Sequence, residues 1–171
     1  MYWIFIAFTL FSSLYGKIIN KALTGLPQDD PELIKIIHEQ FLISPKMGMY
    51  YNLSKHHQSK FDNPNGQFGQ ALEVAKLFEM KRNGFFIEAG AFDGEIFSNT
   101  LLLEMNLNWT GLLIEPNPEI FQTLLTKNRK SYAIETCLST KPIVTEVSFD
   151  VAGKQQLIWA KSKKLLPSSA S

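Results

Sequence analysis

Two short apolar runs, each with a carboxylate at or near its end and room for one helix between them, constrain this chain most. The first is Phe85-Phe86-Ile87-Glu88-Ala89, followed at once by Gly90-Ala91-Phe92-Asp93-Gly94. The second is Leu112-Leu113-Ile114-Glu115, followed by Pro116-Asn117-Pro118. Apolar runs of this length, bounded by glycine and proline, predict strands. A strand, a helix and a second strand of the same direction make a βαβ unit, and the loops after both strands then open into one crevice. The spacing therefore predicts that Glu88 and Glu115 converge over the bend from Gly90 to Gly94.

The flanking sequence predicts the supporting elements. Asp30-Pro31-Glu32 opens a helix with an Asp cap, proline at the first helical position and an acid in the first turn. Leu33, Ile34, Ile37 and Phe41 form its apolar stripe, and Ser44-Pro45 stops it. Residues 47–66 carry mixed polarity and read as loop. A second helix is expected from Gln67 to Met80, with Phe68, Ala71, Leu72, Ala75 and Phe78 on one side. Phe85–Ala89 is so apolar that cover on both faces is expected. Ser98 or Asn99 caps the crossover helix, which bears Leu101, Leu102 and Met105. Asn117-Pro118-Glu119 starts another helix, with Ile120, Phe121, Leu124 and Leu125 inward and basic residues at its end. Tyr132–Glu135 predicts a third strand, and Thr145–Val151 alternates as a half-exposed, antiparallel one. From Gly153 the pattern fades into a basic tail. The expected organisation is 1–23 apolar segment, 24–66 lead-in, 67–152 α/β domain and 153–171 disordered tail.

Composition narrows the function classes. The chain has 171 residues, 45% of them hydrophobic, and a formal net charge of +1. That charge and the lack of a basic run speak against nucleic acid as a partner. A single cysteine, Cys137, excludes an intrachain disulfide framework. His38, His56 and His57 have no metal-ligand spacing, so no metal is expected. The N-terminus, from Tyr2 to Tyr15, is apolar and uncharged. Its length suits a signal-peptide core and falls short of the ~20 residues that span a bilayer comfortably. With Lys17 and Lys21 snorkelling, Tyr2–Leu23 serves instead as an uncleaved signal anchor, the favoured expectation. A buried helix of the soluble domain is the bland alternative. Asn52-Leu53-Ser54 and Asn108-Trp109-Thr110 are sequons consistent with a lumenal body.

The predicted crevice has the chemistry of an S-adenosylmethionine site. Gly90 and Gly94 allow backbone to approach a ligand, and the next helix N-terminus offers N–H donors to a carboxylate. Glu88 and Asp93 supply negative charge for the ammonium side, and Glu115 accepts from the ribose hydroxyls. The alternative reading is strand-end carboxylates satisfied by local backbone N–H groups. No residue is assigned a catalytic role.

The stretches Glu88–Gly94, Ser98-Asn99-Thr100, Asn108–Gly111, Leu113–Pro118, Lys127–Lys130 and Cys137-Leu138-Ser139 resemble the FkbM-type methyltransferase domain. With Asp29-Asp30-Pro31, Tyr51-Asn52-Leu53 and Gly66-Gln67, they resemble its animal branch, typified by the protein Star. The resemblance runs from about Asp29 to Val151. It implies a Rossmann-like S-adenosylmethionine methyltransferase fold with Glu88, Gly90, Asp93, Gly94 and Glu115 at the cofactor. For the Star branch it implies a single-pass membrane protein of the endoplasmic reticulum, Golgi and endosomes that assists trafficking of EGF-receptor ligand precursors. FkbM relatives proper imply an O-methyltransferase. No buried strand is expected after Val151, so the sheet is expected to stop after three parallel strands, with Phe85–Ala89 as an apolar edge and half of the enzyme pocket missing. A truncated product without function is the third expectation.

Overall fold

The computed structural model describes residues 23–54, 69–151 and 154–159, apart from the side chains of 146–151 and 154–159. The expected apolar segment lies outside these residues except for Leu23, as does the whole stretch from 55 to 68. Among the described residues no helix is long and apolar enough to cross a membrane. The chain divides into two units, Met1–Ile37 with Leu138–Ser171, and His38–Cys137.

In the first unit, α1 spans Pro31–Ile36, and the Asp30 side chain accepts from the N–H groups of Glu32 and Leu33 at 2.9 and 3.0 Å. Of the expected apolar stripe only Leu33 is buried, and Ile34 is 52% exposed. At Ile37, where this unit ends, the winding changes to a π-helical stretch, Ile37–Phe41, whose wider turn rotates later side chains off a stripe of period 3.6. An antiparallel strap runs alongside: Gly25 N–H donates to Val144 O and Val144 N–H to Leu26 O, both at 2.8 Å. β4 (Glu146–Val151) and β5 (Lys154–Trp159) form an antiparallel pair, with Glu146 opposite Trp159 and Val151 opposite Lys154. The antiparallel strand was legible; its partner falls in the stretch that read as a patternless tail. Lys154-Gln155-Gln156-Leu157 does not alternate, so its backbone pairing leaves no mark in the side-chain pattern.

The second unit is α/β. It holds α2 (Gln70–Leu77), β1 (Phe85–Ala89), α3 (Leu101–Leu107), β2 (Thr110–Ile114), α4 (Pro118–Thr126) and β3 (Tyr132–Ile134). The sheet is parallel in the order β1-β2-β3, compatible with a fragment of a Rossmann-like fold. Register pairs Glu88 with Leu113 and Leu113 with Ala133. These side chains therefore share one face, together with Phe86, and all are buried. Ala75 of α2, Leu103 and Leu107 of α3, and Phe121 and Leu124 of α4 join Phe86, Leu113 and Ala133 in a single core. The described α-helices of this unit thus pack on one side of the sheet.

That corrects the expectation for β1. Its residues alternate rather than bury throughout, with Phe85 61% and Ile87 63% exposed. Apolar content promised two covered faces, but the three described α-helices of this unit feed the same core, and one layer cannot cover both sides. At the other edge of the sheet, Ile43 and Ala133 exchange backbone hydrogen bonds of 2.8 and 2.9 Å in an isolated antiparallel bridge.

Candidate functional site

β1 and β2 deliver their C-terminal ends side by side. Ala89 is in register with Ile114, and Gly90 and Ala91 donate their N–H groups to Ile114 O at 2.9 and 3.0 Å. The chain then turns through Gly90 to Gly94 without forming helix. Glu88, Asp93 and Glu115 are all buried around this bend.

Each carboxylate is held by donors of the chain itself. Glu88 Oε2 accepts from the hydroxyls of Ser98 (2.9 Å) and Thr100 (2.5 Å), and its Oε1 from the Asn99 N–H (2.7 Å). Glu115 accepts from the Phe92 N–H at one oxygen and the Asn117 N–H at the other, both at 2.8 Å. Asp93 Oδ1 accepts from the N–H groups of Glu95 and Ile96 at 2.9 and 2.7 Å, and its Oδ2 lies 3.7 Å from Lys127 Nζ. A carboxylate has about four lone-pair sites, so Glu115, with two donors, keeps acceptor capacity, whereas Glu88 is nearly filled. The bend is a site whose acids first hold the loop together.

The two glycines differ. Gly90 is exposed at φ +78°, and a Cβ there would meet nothing within 4 Å. Gly94, also in the left-handed region at φ +76°, would bring a Cβ to 3.1 Å from Leu124 Cγ. Gly94 therefore admits helix α4, and the open approach lies at Gly90 alone. Helix α3 starts at Leu101, and its first N–H is already used: Ser98 Oγ accepts from Leu101 N–H at 3.1 Å and from Thr100 N–H, just before the helix, at 3.4 Å. The N-cap is Thr100 and makes no side-chain cap bond, which corrects the expected cap at Ser98 or Asn99; Ser98 Oγ reaches the first helical N–H from two residues further out.

Sequence reasoning missed the charges behind this loop. Arg129 is buried, and its Nε donates to Glu104 Oε1 at 3.1 Å. Its Nη1 donates to Gly94 O and to Ser98 Oγ, the latter at 3.2 Å, and Nη2 to Thr100 Oγ1 at 3.1 Å. Arg129 thereby joins the Glu88 cluster to Glu104 through two shared hydroxyls. Glu104 also accepts from Lys130 N–H and Ser131 Oγ, each at 2.6 Å. Burial and the hydrogen-bonded Glu104 carboxylate push the Tyr51 phenol well above its ordinary value. Glu95, 1% exposed, accepts from Lys127 Nζ and Ser54 N–H at 2.6 Å each.

A signal for Glu104 was present. It sits three residues after Leu101 and three before Leu107, on the stripe that α3 buries, and an acid on an apolar stripe demands a partner. Arg129 carried no such signal, because a cation near a helix C-terminus is ordinarily a solvated complement to the dipole. Nearby, burial pushes the Cys137 thiol up, and Glu115 adds to it; burial also raises Glu135. Among the described residues no group of three or more His, Cys, Asp or Glu is arranged to hold a metal ion.

No protein-family model matches the chain. Neither the curated proteins nor the solved structures yield a match.

Proposed function

We propose that this chain is a Star-like, membrane-anchored protein of the secretory pathway in which a Rossmann-like, methyltransferase-type fold serves as a protein-binding scaffold. Its role is to assist trafficking of EGF-receptor ligand precursors through the endoplasmic reticulum, Golgi and endosomes. The anchoring half of this reading rests on the apolar run from Tyr2 to Tyr15. The scaffold half rests on one observation: Glu88 is occupied by three donors of its own loop, two of them shared with buried Arg129. An acid so committed stabilises the bend and has little capacity left for a ligand ammonium.

Gly90 favours a second reading, an S-adenosylmethionine-dependent O-methyltransferase of the FkbM type. Its open approach, beside the spare acceptor capacity of Glu115, is where a ribose diol would enter.

Titration calorimetry with S-adenosylmethionine separates the two. The scaffold reading expects no saturable heat at micromolar to millimolar cofactor. Micromolar binding that disappears in a natively folded Glu115→Ala variant would turn the conclusion to the enzyme. Trafficking is read by co-expressing the chain with a membrane-tethered EGF-family precursor and following the precursor's acquisition of endoglycosidase resistance. An unchanged rate of acquisition refutes the cargo role.

A further inference from the structure

Two tripeptides in this chain have the form that oligosaccharyl transfer requires, Asn52-Leu53-Ser54 and Asn108-Trp109-Thr110. Their surroundings differ. Asn52 is lashed to the end of α4: its N–H donates to Lys127 O at 3.0 Å and its Nδ2 to Thr126 O at 3.1 Å. Leu53 is buried beside it, and the Ser54 N–H is taken by Glu95 at 2.6 Å. A sugar on Asn52 would press on the end of α4, to which its backbone and side-chain N–H groups are both bound.

Asn108 stands at a corner. It is exposed, and it forms the C-cap of α3 in the left-handed region at φ 56° and ψ 35°. Its Nδ2 donates to Asn83 Oδ1 at 2.6 Å; one such bond needs only one of the two amide hydrogens. The neighbours are fixed without help from its side chain. Trp109 is buried, with Nε1 donating to Lys81 O at 2.6 Å, and Thr110 Oγ1 donates to Lys130 O at 3.0 Å.

We infer that Asn108, and not Asn52, carries an N-linked glycan. The inference rests on the secretory-pathway reading above. The donor is a lipid-diphosphate-linked oligosaccharide. Asn108 Nδ2 forms a bond to the sugar C1, the bond from C1 to the diphosphate oxygen breaks, Nδ2 gives up one proton, and the lipid diphosphate leaves. The remaining Nδ2 hydrogen still reaches Asn83.

The position has a consequence for the site. Thr110 opens β2 and pairs with Phe85 at the start of β1, whereas the Gly90–Gly94 bend follows the other end. Five strand residues span roughly 16 Å. A glycan on Asn108 is therefore attached beyond the end of β2 that lies away from the acidic bend.

The test is synthesis of the full chain in the presence of endoplasmic-reticulum microsomes. Protease protection reads lumenal location, and a glycosidase-sensitive gel shift reads the sugar. Enzymatic release in heavy-oxygen water then marks the modified asparagine for mass spectrometry. The expected result is a protected chain with a shift of one glycan, marked at Asn108. The shift should be lost in Asn108→Gln and Thr110→Val and kept in Ser54→Ala. Thr110→Val keeps Asn108 and its bond to Asn83, so a shift lost in that variant reads the sequon itself. A protected chain with no shift, or one whose shift is lost in Ser54→Ala and kept in Thr110→Val, overturns the assignment while the secretory reading stands. An unprotected chain overturns both.

Discussion

Replacing Arg129 by methionine tests how the second unit is held together. The substitution keeps an unbranched side chain of similar length and removes the guanidinium. Glu104 would then be a buried carboxylate with Lys130 N–H, Ser131 Oγ and the Tyr51 hydroxyl as donors and no counter-charge. Gly94 O would also lose a donor. Stripping one partner from a buried pair costs ~3–5 kcal/mol, against a whole-domain stability of about 5–15 kcal/mol. With a urea dependence of ~1.5 kcal/mol per molar, the unfolding midpoint should fall by ~2–3 M. Chemical denaturation followed by circular dichroism measures this directly. Glu104→Leu alone should cost a similar amount, because it strands the cation instead. The double variant removes both charges from the interior, so it should be less damaged than the sum of the singles by ~2 kcal/mol or more. A midpoint shift below ~0.5 M for Arg129→Met, or strict additivity in the double variant, would refute the view that one ion pair organises this loop.

Other expectations follow from single positions. Gly111→Ala would place a Cβ 2.3 Å from the Phe86 ring and 2.4 Å from its carbonyl oxygen; overpacking of that kind should cost ~3 kcal/mol in the same assay. Gly90→Ala meets nothing within 4 Å, so its cost should be only the left-handed backbone strain, ~1 kcal/mol. Burial raises Glu135 above its ordinary 4.5, so the folded state holds that proton more tightly than the unfolded chain. Its contribution is therefore intact below the ordinary value and is lost as pH rises through the folded value. Thermal melts of Glu135→Gln and the parent should coincide in acid and separate towards neutrality, the variant melting higher. Cys137, with its thiol raised by burial and by Glu115, should react with iodoacetamide more slowly than a free cysteine at pH 8, and equal rates would contradict the geometry.

Local chemistry made several elements legible. Asp30 and Asn117 announce helix starts because a side-chain oxygen beside a proline at the first helical position satisfies the orphan N–H groups of that same turn, and both do so here. The parallel strands around Glu88 and Glu115 were readable from apolar runs of strand length separated by one helix. The bend between Gly90 and Gly94 was readable too, since glycine there relieves a backbone that L-residues avoid. What the acids at that bend do was not. Glu88 takes its donors from ten to twelve residues onward, and no pattern of period two or 3.6 encodes which hydroxyl turns toward which oxygen.

By itself, then, the amino-acid order determined where helices begin, that two strands run parallel, and that a glycine bend follows the first of them. These are short-range matters, settled by backbone sterics and by side chains a few residues apart. Only the tertiary structure decided that the helices of this unit gather on one face, leaving Phe85 and Ile87 bare. It alone also brought Arg129, Glu104 and Glu88 into one network. A charge is excluded from an apolar interior unless a partner arrives from elsewhere in the chain, and that arrival depends on the packing of whole elements.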